Sequence, residues 1–446
     1  MARATAPGRG GIGIVRVSGQ KKEMQALLAQ LFPGRRIESR HATLLPVKDA
    51  EGQKIDQAIV LFFEGPHSYT GEDVLEIQAH GGIAVVQMII DRVLELGRTM
   101  HLRLADAGEF TQRAFLNGRM DLAQSEAVAD LIDAGTTAAA RAASRTLQGV
   151  FSEKVQKISD HVTDLRAYVE ATLDFPEEDI DFIAEGRIAE QVTEIIEELI
   201  DLEKKALRGK VLRDGLTVVL VGAPNVGKSS LMNALAQNDV AIVTEIAGTT
   251  RDRIECDINL DGLLVHLIDT AGVRETNDPV ERIGVERTLS AVENADVVLS
   301  LTTACDVAEE NAWARDKVAE RLREGVVSIN VINKADLGVS AQVAPDAIVL
   351  SAKTGTGLEK LIGRLKMLSG QDVENEGDFL ARSRHLNCLS CARLHLEQVQ
   401  NNLKHMTLEL AAEELRLAGR EIGEITGEVL PDDLLGKIFS QFCIGK

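Results

Sequence analysis

The run Gly222-Ala223-Pro224-Asn225-Val226-Gly227-Lys228-Ser229 fits G-x-x-x-x-G-K-[ST] at every fixed position. It follows the apolar run Leu216–Val221 and precedes a helix expected to open near Ser230-Leu231, the context that a phosphate-binding loop requires. Glycines there let backbone N–H groups close around a β-phosphate. Lys228 is expected to reach the β and γ oxygens, and the Ser229 hydroxyl to ligate magnesium. Asp269-Thr270-Ala271-Gly272 ends another apolar run; Asp269 is placed to hold magnesium through water and the Gly272 N–H to meet a γ-phosphate. In Asn333-Lys334-Ala335-Asp336, the Asp336 carboxylate accepts two hydrogens from the N1 and N2 edge of guanine. Adenine offers no such pair, so the element selects GTP over ATP. Ser351-Ala352-Lys353 completes a base pocket. Ordered in this way at strand ends, the motifs read as a GTPase.

The residue after Asp269–Gly272 is Val273, where Ras-like enzymes carry a water-orienting Gln. Arg251 and Arg253 lie beside the magnesium loop, either as arginine fingers or as solvated loop charges. A monovalent cation is another source of positive charge: Asn225 has an amide oxygen, Thr244–Asp252 offers a wrap of carbonyls, and Thr250 is a magnesium ligand. By spacing alone, Asn225 is equally a residue that caps its own loop.

These residues need elements to hold them. Leu216–Val221, Leu263–Ile268, Val297–Leu301, Val326–Ile332 and Ala347–Leu350 are strand-like runs separated by helical patterns, which predicts a parallel, doubly wound sheet. Before it, Phe151, Val155, Ile158, Val162, Leu165 and Val169 recur at steps of four and three, the stripe of a bundle helix, and Val192–Ile200 continues in kind. Between these, residues 174–182 read as a solvated, Pro-broken acidic connection. Residues 1–118 mix β-rich runs (Ile12–Val17, Asp56–Phe63) with a helical pattern over Ile83–Leu96. The fold class is multidomain α/β: a small α+β domain (1–118), a helical domain in two parts (119–212 and 371–446), and a Ras-like doubly wound G domain (213–370) inserted between them. The chain's 446 residues carry a net charge of −20, so any RNA partner needs a local basic patch or a cationic partner protein. Five scattered cysteines and the lack of an apolar run of membrane-spanning length predict a cytoplasmic chain without disulfides. Cys388-x-x-Cys391 reads as helix packing, lacking a second ligand pair.

Taken together, the loop G-x-P-N-x-G-K-S, Thr244-x-Ile246-Ala247-Gly248-Thr249-Thr250-Arg251-Asp252, Asp269–Gly272 and the terminal Cys443-Ile444-Gly445-Lys446 resemble the tRNA-modification GTPase family MnmE (TrmE). Gly65–Asp73, His80-Gly81-Gly82, Gly108–Thr111, Arg113–Gly118 and Asp121–Gln124 extend that resemblance over nearly the whole chain. It implies a potassium-activated GTPase acting as a homodimer with an FAD-dependent flavoprotein, in a heterotetramer or larger assembly. The product is a carboxymethylaminomethyl or aminomethyl group on the wobble uridine of tRNA; no membrane or DNA is involved. Carried over residue by residue, GTP contacts fall on Asn225, Val226, Gly227, Lys228, Ser229, Ser230, Thr244, Thr249, Thr250, Asp269, Thr270, Ala271, Gly272, Asn333, Lys334 and Asp336. Potassium falls on Asn225, Thr244, Ile246 and Thr249, and magnesium on Ser229 and Thr250. Glu281 matches the acidic residue that aligns the hydrolytic water, alongside Asn225 and Lys228 as catalytic groups. The implied one-carbon source, 5-formyltetrahydrofolate, falls on Arg16, Glu76, Arg119 and Lys446. Cys443 is a family position near that site, open between a buried helical cysteine and a redox or nucleophilic role.

Two features depart from the family pattern. The opening Met1–Pro7 is a few residues shorter than in members with an extra β-segment, which leaves the first edge strand and part of the dimer contact open. Leu301–Asp306 replaces an apolar strand end, away from the expected nucleotide contacts. The rival readings are a ribosome-assembly GTPase binding rRNA, and a folate-dependent transferase with a regulatory G domain.

Overall fold

The computed structural model describes residues 1–174, 187–237, 254–269, 286, 288–303, 316–323, 326–338, 344, 346–369, 379–402, 408–428, 432–440 and 442–445. Two compact units result: Met1–Ala129 with Thr146–Ile196 and Cys391–Lys446, and Asp130–Arg145 with Glu197–Ser390.

In the first unit, β1 (Ala2–Arg3), β2 (Ile12–Gly19), β3 (Thr43–Lys48), β4 (Lys54–Phe63) and β5 (Asp73–His80) form an antiparallel sheet in the order β1-β2-β5-β4-β3. Strand alternation sends Val15, Val17, Leu45, Val47, Val60, Leu75 and Ile77 to one face, where α1 (Lys21–Leu31) and α2 (Ile83–Gly97) cover them. The edge strand left open by the sequence is present, pairing Ala2 with Arg16 and Arg3 with Val15. After α3 (Glu109–Leu116), α4 (Leu122–Asp133) and α5 (Thr137–Leu147) comes the long α6 (Val150–Asp174). Its stripe from Phe151 to Val169 is buried throughout, as the four-and-three spacing predicted.

In the second unit, α7 (Arg187–Asp214) leads into β6 (Leu216–Val221), and α8 (Lys228–Gln237) follows the phosphate loop. With β7 (Ile254–Leu260), β8 (Leu263–Asp269), β9 (Val297–Thr303), β10 (Val327–Asn333) and β11 (Ile348–Val349), the sheet order is β11-β10-β9-β6-β8-β7. Both faces of β6 are buried: Val218 and Leu220 pack into one cluster, Val219 and Val221 into another. Burial on both faces explains the unbroken apolar runs of the sequence. One expectation needs correcting. The sheet is mixed, because β7 pairs antiparallel with β8. Asp261 and Gly262 at the turn adopt φ of 49° and 98°, the left-handed pair that an Asp-Gly hairpin uses.

The remaining helices are α9 (Leu358–Ser369), α10 (Ser383–Asn402), α11 (Leu408–Thr426) and α12 (Asp432–Ser440). α11 lays Leu415, Ala418, Ile422 and Ile425 inward and packs on α6. Cys388 is buried on α10, as the packing reading requires, whereas Cys391 is exposed. Among the described residues, no helix is long and apolar enough to cross a membrane.

Candidate functional site

The phosphate loop runs from the end of β6 into α8. Gly227 adopts φ +97°, and a Cβ there would stand 2.3 Å from Nδ2 of Asn333, so only glycine fits. Asn333, at the end of β10 and almost fully buried, explains the closeness. Its Nδ2 donates to the Val226 carbonyl at 2.9 Å, and its Oδ1 accepts from the Ala352 N–H at 3.0 Å. One amide thus ties the phosphate loop to the Ser351–Lys353 loop, with donor and acceptor both used.

Lys334 adds a second tie: its Nζ donates to the Asn225 carbonyl at 2.7 Å. Asn225 itself is at φ 64°, a left-handed conformation that asparagine tolerates. Asp336 accepts from Ser351 Oγ at 2.6 Å; that hydrogen bond, with Lys353 and Lys334 nearby, holds its carboxyl below the usual range. It remains anionic, an acceptor held in place by Ser351. Lys228 Nζ donates to the carbonyls of Gly222 at 2.9 Å and Ala223 at 3.1 Å. Burial lowers its pKa, and the Asp269 charge opposes that shift.

Ser229 Oγ donates to Asp269 Oδ2 at 2.6 Å, while the buried Asp269 Oδ1 has no partner among the described residues. A hydroxyl and a carboxylate with one oxygen unpartnered among the described residues, at the mouth of the phosphate loop, are donors that suit a hard divalent cation. Thr244, Ile246, Thr249, Thr250, Arg251, Arg253, Thr270, Ala271, Gly272, Val273 and Glu281 lie outside the described residues.

A second cluster lies in the other unit. Arg16 on β2 donates from Nε to Glu76 Oε1 on β5 at 2.9 Å, across the directly paired position. Arg16 Nη1 also donates to the Gly445 carbonyl at 3.2 Å, and its guanidinium lies 5.8 Å from the ring centroids of both Tyr69 and Phe110. The C-terminal tail is held there: Ile444 bridges to Ala107, and the Gly108 N–H donates to the Cys443 carbonyl at 3.4 Å. Beneath it, Phe439 and Phe442 pack with Leu122 and Phe115. The structure therefore brings together Arg16, Glu76 and Gly445. Arg119 is exposed, its Cγ lying 3.3 Å from where a Gly71 Cβ would sit, and it shares no described contact with the other three. Lys446 lies outside the described residues, and the Cys443 side chain is exposed.

The sequence reading singled out neither Tyr69 nor Phe110 as part of this site, although both fall within the runs that it quoted. It also passed over an ionic network next to it: Arg113 donates to Glu72 at 2.8 Å and to Glu109 at 2.7 Å. The spacing of Glu109 and Arg113, four residues apart on one helix, was the available signal.

Two family models match the chain: "GTP-binding protein TrmE N-terminus" over residues 1–119 and "MnmE helical domain" over residues 122–443. The chain is 49% identical over 469 residues to the tRNA modification GTPase MnmE of Cupriavidus metallidurans, covering 100% of this chain and 98% of that one. It belongs to the MnmE family. The MnmE of Erwinia tasmaniensis is 50% identical over 455 residues, again covering 100% of this chain and 98% of the relative. Among solved structures, Aquifex aeolicus Era bound to GDP.AlF4- aligns with 26% identity over 40% of this chain and 66% of that one, at a TM-score of 0.29. As an MnmE-family member the chain is a GTPase acting in tRNA modification.

Proposed function

We propose that this MnmE-family GTPase works in the cytoplasm as a homodimer with an FAD-dependent flavoprotein, in a heterotetramer or larger assembly. Together they place a carboxymethylaminomethyl or aminomethyl group at ring position 5 of the tRNA wobble uridine, with 5-formyltetrahydrofolate as one-carbon source. The domain division proposed is 1–118 for folate binding and dimerisation, 119–212 and 371–446 for the helical domain, and 213–370 for the G domain. The observation that carries this reading is the docked tail. Arg16, paired with Glu76, donates from Nη1 to the Gly445 carbonyl at 3.2 Å, so the Cys443–Gly445 segment is held against a charged pair.

In the nucleotide site, Asp336 accepts from the guanine edge, Asn333 and Lys334 keep the phosphate loop rigid, and Lys228 places its charge on the β and γ oxygens. Ser229, Asp269 and Thr250 would hold magnesium, which when bound neutralises developing phosphate charge. Asn225, Thr244, Ile246 and Thr249 are the proposed potassium ligands, and Glu281 the proposed water-aligning base. Thr270, Ala271 and Gly272 would border the γ-phosphate. In the folate pocket, Arg16, Arg119 and Lys446 would meet glutamate carboxylates and Glu76 a pterin edge; the Tyr69 and Phe110 rings beside Arg16 suit a planar ligand. That same sheet face, opposite α1 and α2, exposes Ile12, Leu44 and Ile59, an apolar surface that a second copy would cover.

The test is mass spectrometry of tRNA nucleosides from a strain lacking this chain, with and without complementation. Loss of the wobble modification, restored by the wild-type chain, is expected; an unchanged nucleoside profile would overturn the assignment. GTP turnover in potassium should exceed that in sodium at matched ionic strength by roughly a hundredfold. Equal rates would remove Asn225 from cation binding.

A further inference from the structure

The last carbonyls of any α-helix lack intrahelical donors. For Asp214, the last residue of α7, the donor is a side chain: its backbone oxygen lies 2.9 Å from Nε2 of His266 on β8. The other ring nitrogen, Nδ1, lies 2.6 Å from Oδ1 of Asp257, directly opposite His266 in the β7–β8 pair. Both neighbours are acceptors, and the ring sits between them, bridging the strand pair to the helix end. Gly215 makes the approach possible. It sits at φ +74°, and a Cβ there would come within 2.8 Å of Nε2 and 2.9 Å of the Leu264 carbonyl. The helix end is itself anchored, because Arg213 pairs with buried Asp130 at 2.8 Å and Arg382 reaches the same carboxylate at 2.7 Å.

Two of the elements joined at His266 lead to the phosphate loop and to Asp269. α7 continues through Gly215 into β6 and the phosphate loop. β8 ends at Asp269, three residues or about 10 Å beyond His266. We propose that His266 is a positioning residue for GTP hydrolysis. Through its contacts with the Asp214 carbonyl and the Asp257 carboxylate, it fixes β8, and with it Asp269, against the α7–β6 junction that carries the phosphate loop. The Asp269–Ser229 contact at 2.6 Å depends on that register.

The test uses the full chain. His266→Phe keeps an aromatic ring and removes both ring nitrogens; kcat for GTP hydrolysis should fall roughly tenfold or more, as expected for a small misplacement of a reacting group. Affinity for GDP should stay within about twofold, because the phosphate loop and base-reading elements sit on β6 and β10. His266→Gln, able to serve one acceptor at a time, should fall between. A folded His266→Phe with unchanged kcat, or a loss of GDP affinity that parallels the loss of rate, would each overturn the proposal. If calorimetry shows that His266→Phe does not fold, His266→Gln is judged by the same criteria.

Discussion

Replacing Glu109 by Gln should destabilise the N-terminal unit at neutral pH and have little effect in strong acid. Glu109 sits in the first turn of α3, where a negative charge also suits the helix dipole. Burial alone would raise its pKa, but hydrogen bonds from Arg113, the Asp106 amide and Arg103 outweigh that and bring it from the ordinary 4.5 to about 2. A folded-state value below the unfolded one means that the ionised form favours folding. The contribution is fully present above pH 4.5 and disappears as pH falls through about 2. A drop of this size has an upper bound of about 3 kcal/mol at pH 7 and about half that at pH 3. The Arg103 side chain is 59% exposed, so solvent screening brings the pH 7 contribution down to roughly 1–2 kcal/mol. Gln preserves shape and an acceptor but carries no charge, so it loses this contribution at every pH. Differential scanning calorimetry of both proteins at pH 7 and pH 3 reads the difference. A shift on the order of 5 °C in the transition of this unit is expected at pH 7, shrinking at pH 3. An equal shift at both values would show that the introduced amide fails for steric reasons, and no shift at pH 7 would show that the network contributes nothing.

Three other outcomes are expected. Asn333→Ala leaves the Val226 carbonyl and the Ala352 N–H without their buried partner, at ~1–3 kcal/mol each, so GTP affinity measured by calorimetry should fall at least tenfold. Asp336→Asn should weaken GTP binding and strengthen binding of xanthosine triphosphate, whose base carries an oxygen where guanine carries its amino group; unchanged affinities would remove Asp336 from base reading. Deleting Cys443–Lys446 takes the Gly445 carbonyl from Arg16, at a cost of ~1.5–3 kcal/mol to the pocket, so formyl-folate affinity and tRNA modification should fall while intrinsic GTP hydrolysis stays near normal. A parallel collapse of hydrolysis would show that the tail supports the whole fold.

The strand–loop–helix around Gly222–Ser229 was legible in the sequence because its signal is local. A phosphate loop lies within eight consecutive residues, and the strands beside it announce themselves as apolar runs buried on both faces. What the sequence hid were the partners that side chains find across long separations. Asn333 reads as one letter of a base-recognition motif, yet its buried amide spends one side on Val226, 107 residues away, and the other on Ala352. β7 escaped notice because an edge strand alternates polar and apolar residues, and its signal lay in Asp261-Gly262.

The cluster around Arg16 shows the same limit more sharply. Arg16 and Glu76 are separated by 60 residues, and Arg16 and Gly445 by 429, so no spacing rule could have joined them. Family resemblance named Arg16 and Glu76, but it gave no reason for their being adjacent; the β2–β5 register gives one, since it places the two opposite each other. The tail then reaches Arg16 because Phe439 and Phe442 anchor it against Leu122, leaving Cys443, Ile444 and Gly445 to run alongside Ala107 and Gly108. Apolar packing at 439–442 therefore sets where the polar terminus goes. A Phe439→Ala variant should accordingly disturb the Arg16 pocket without touching one of its polar atoms, which separates anchoring of the tail from recognition by it.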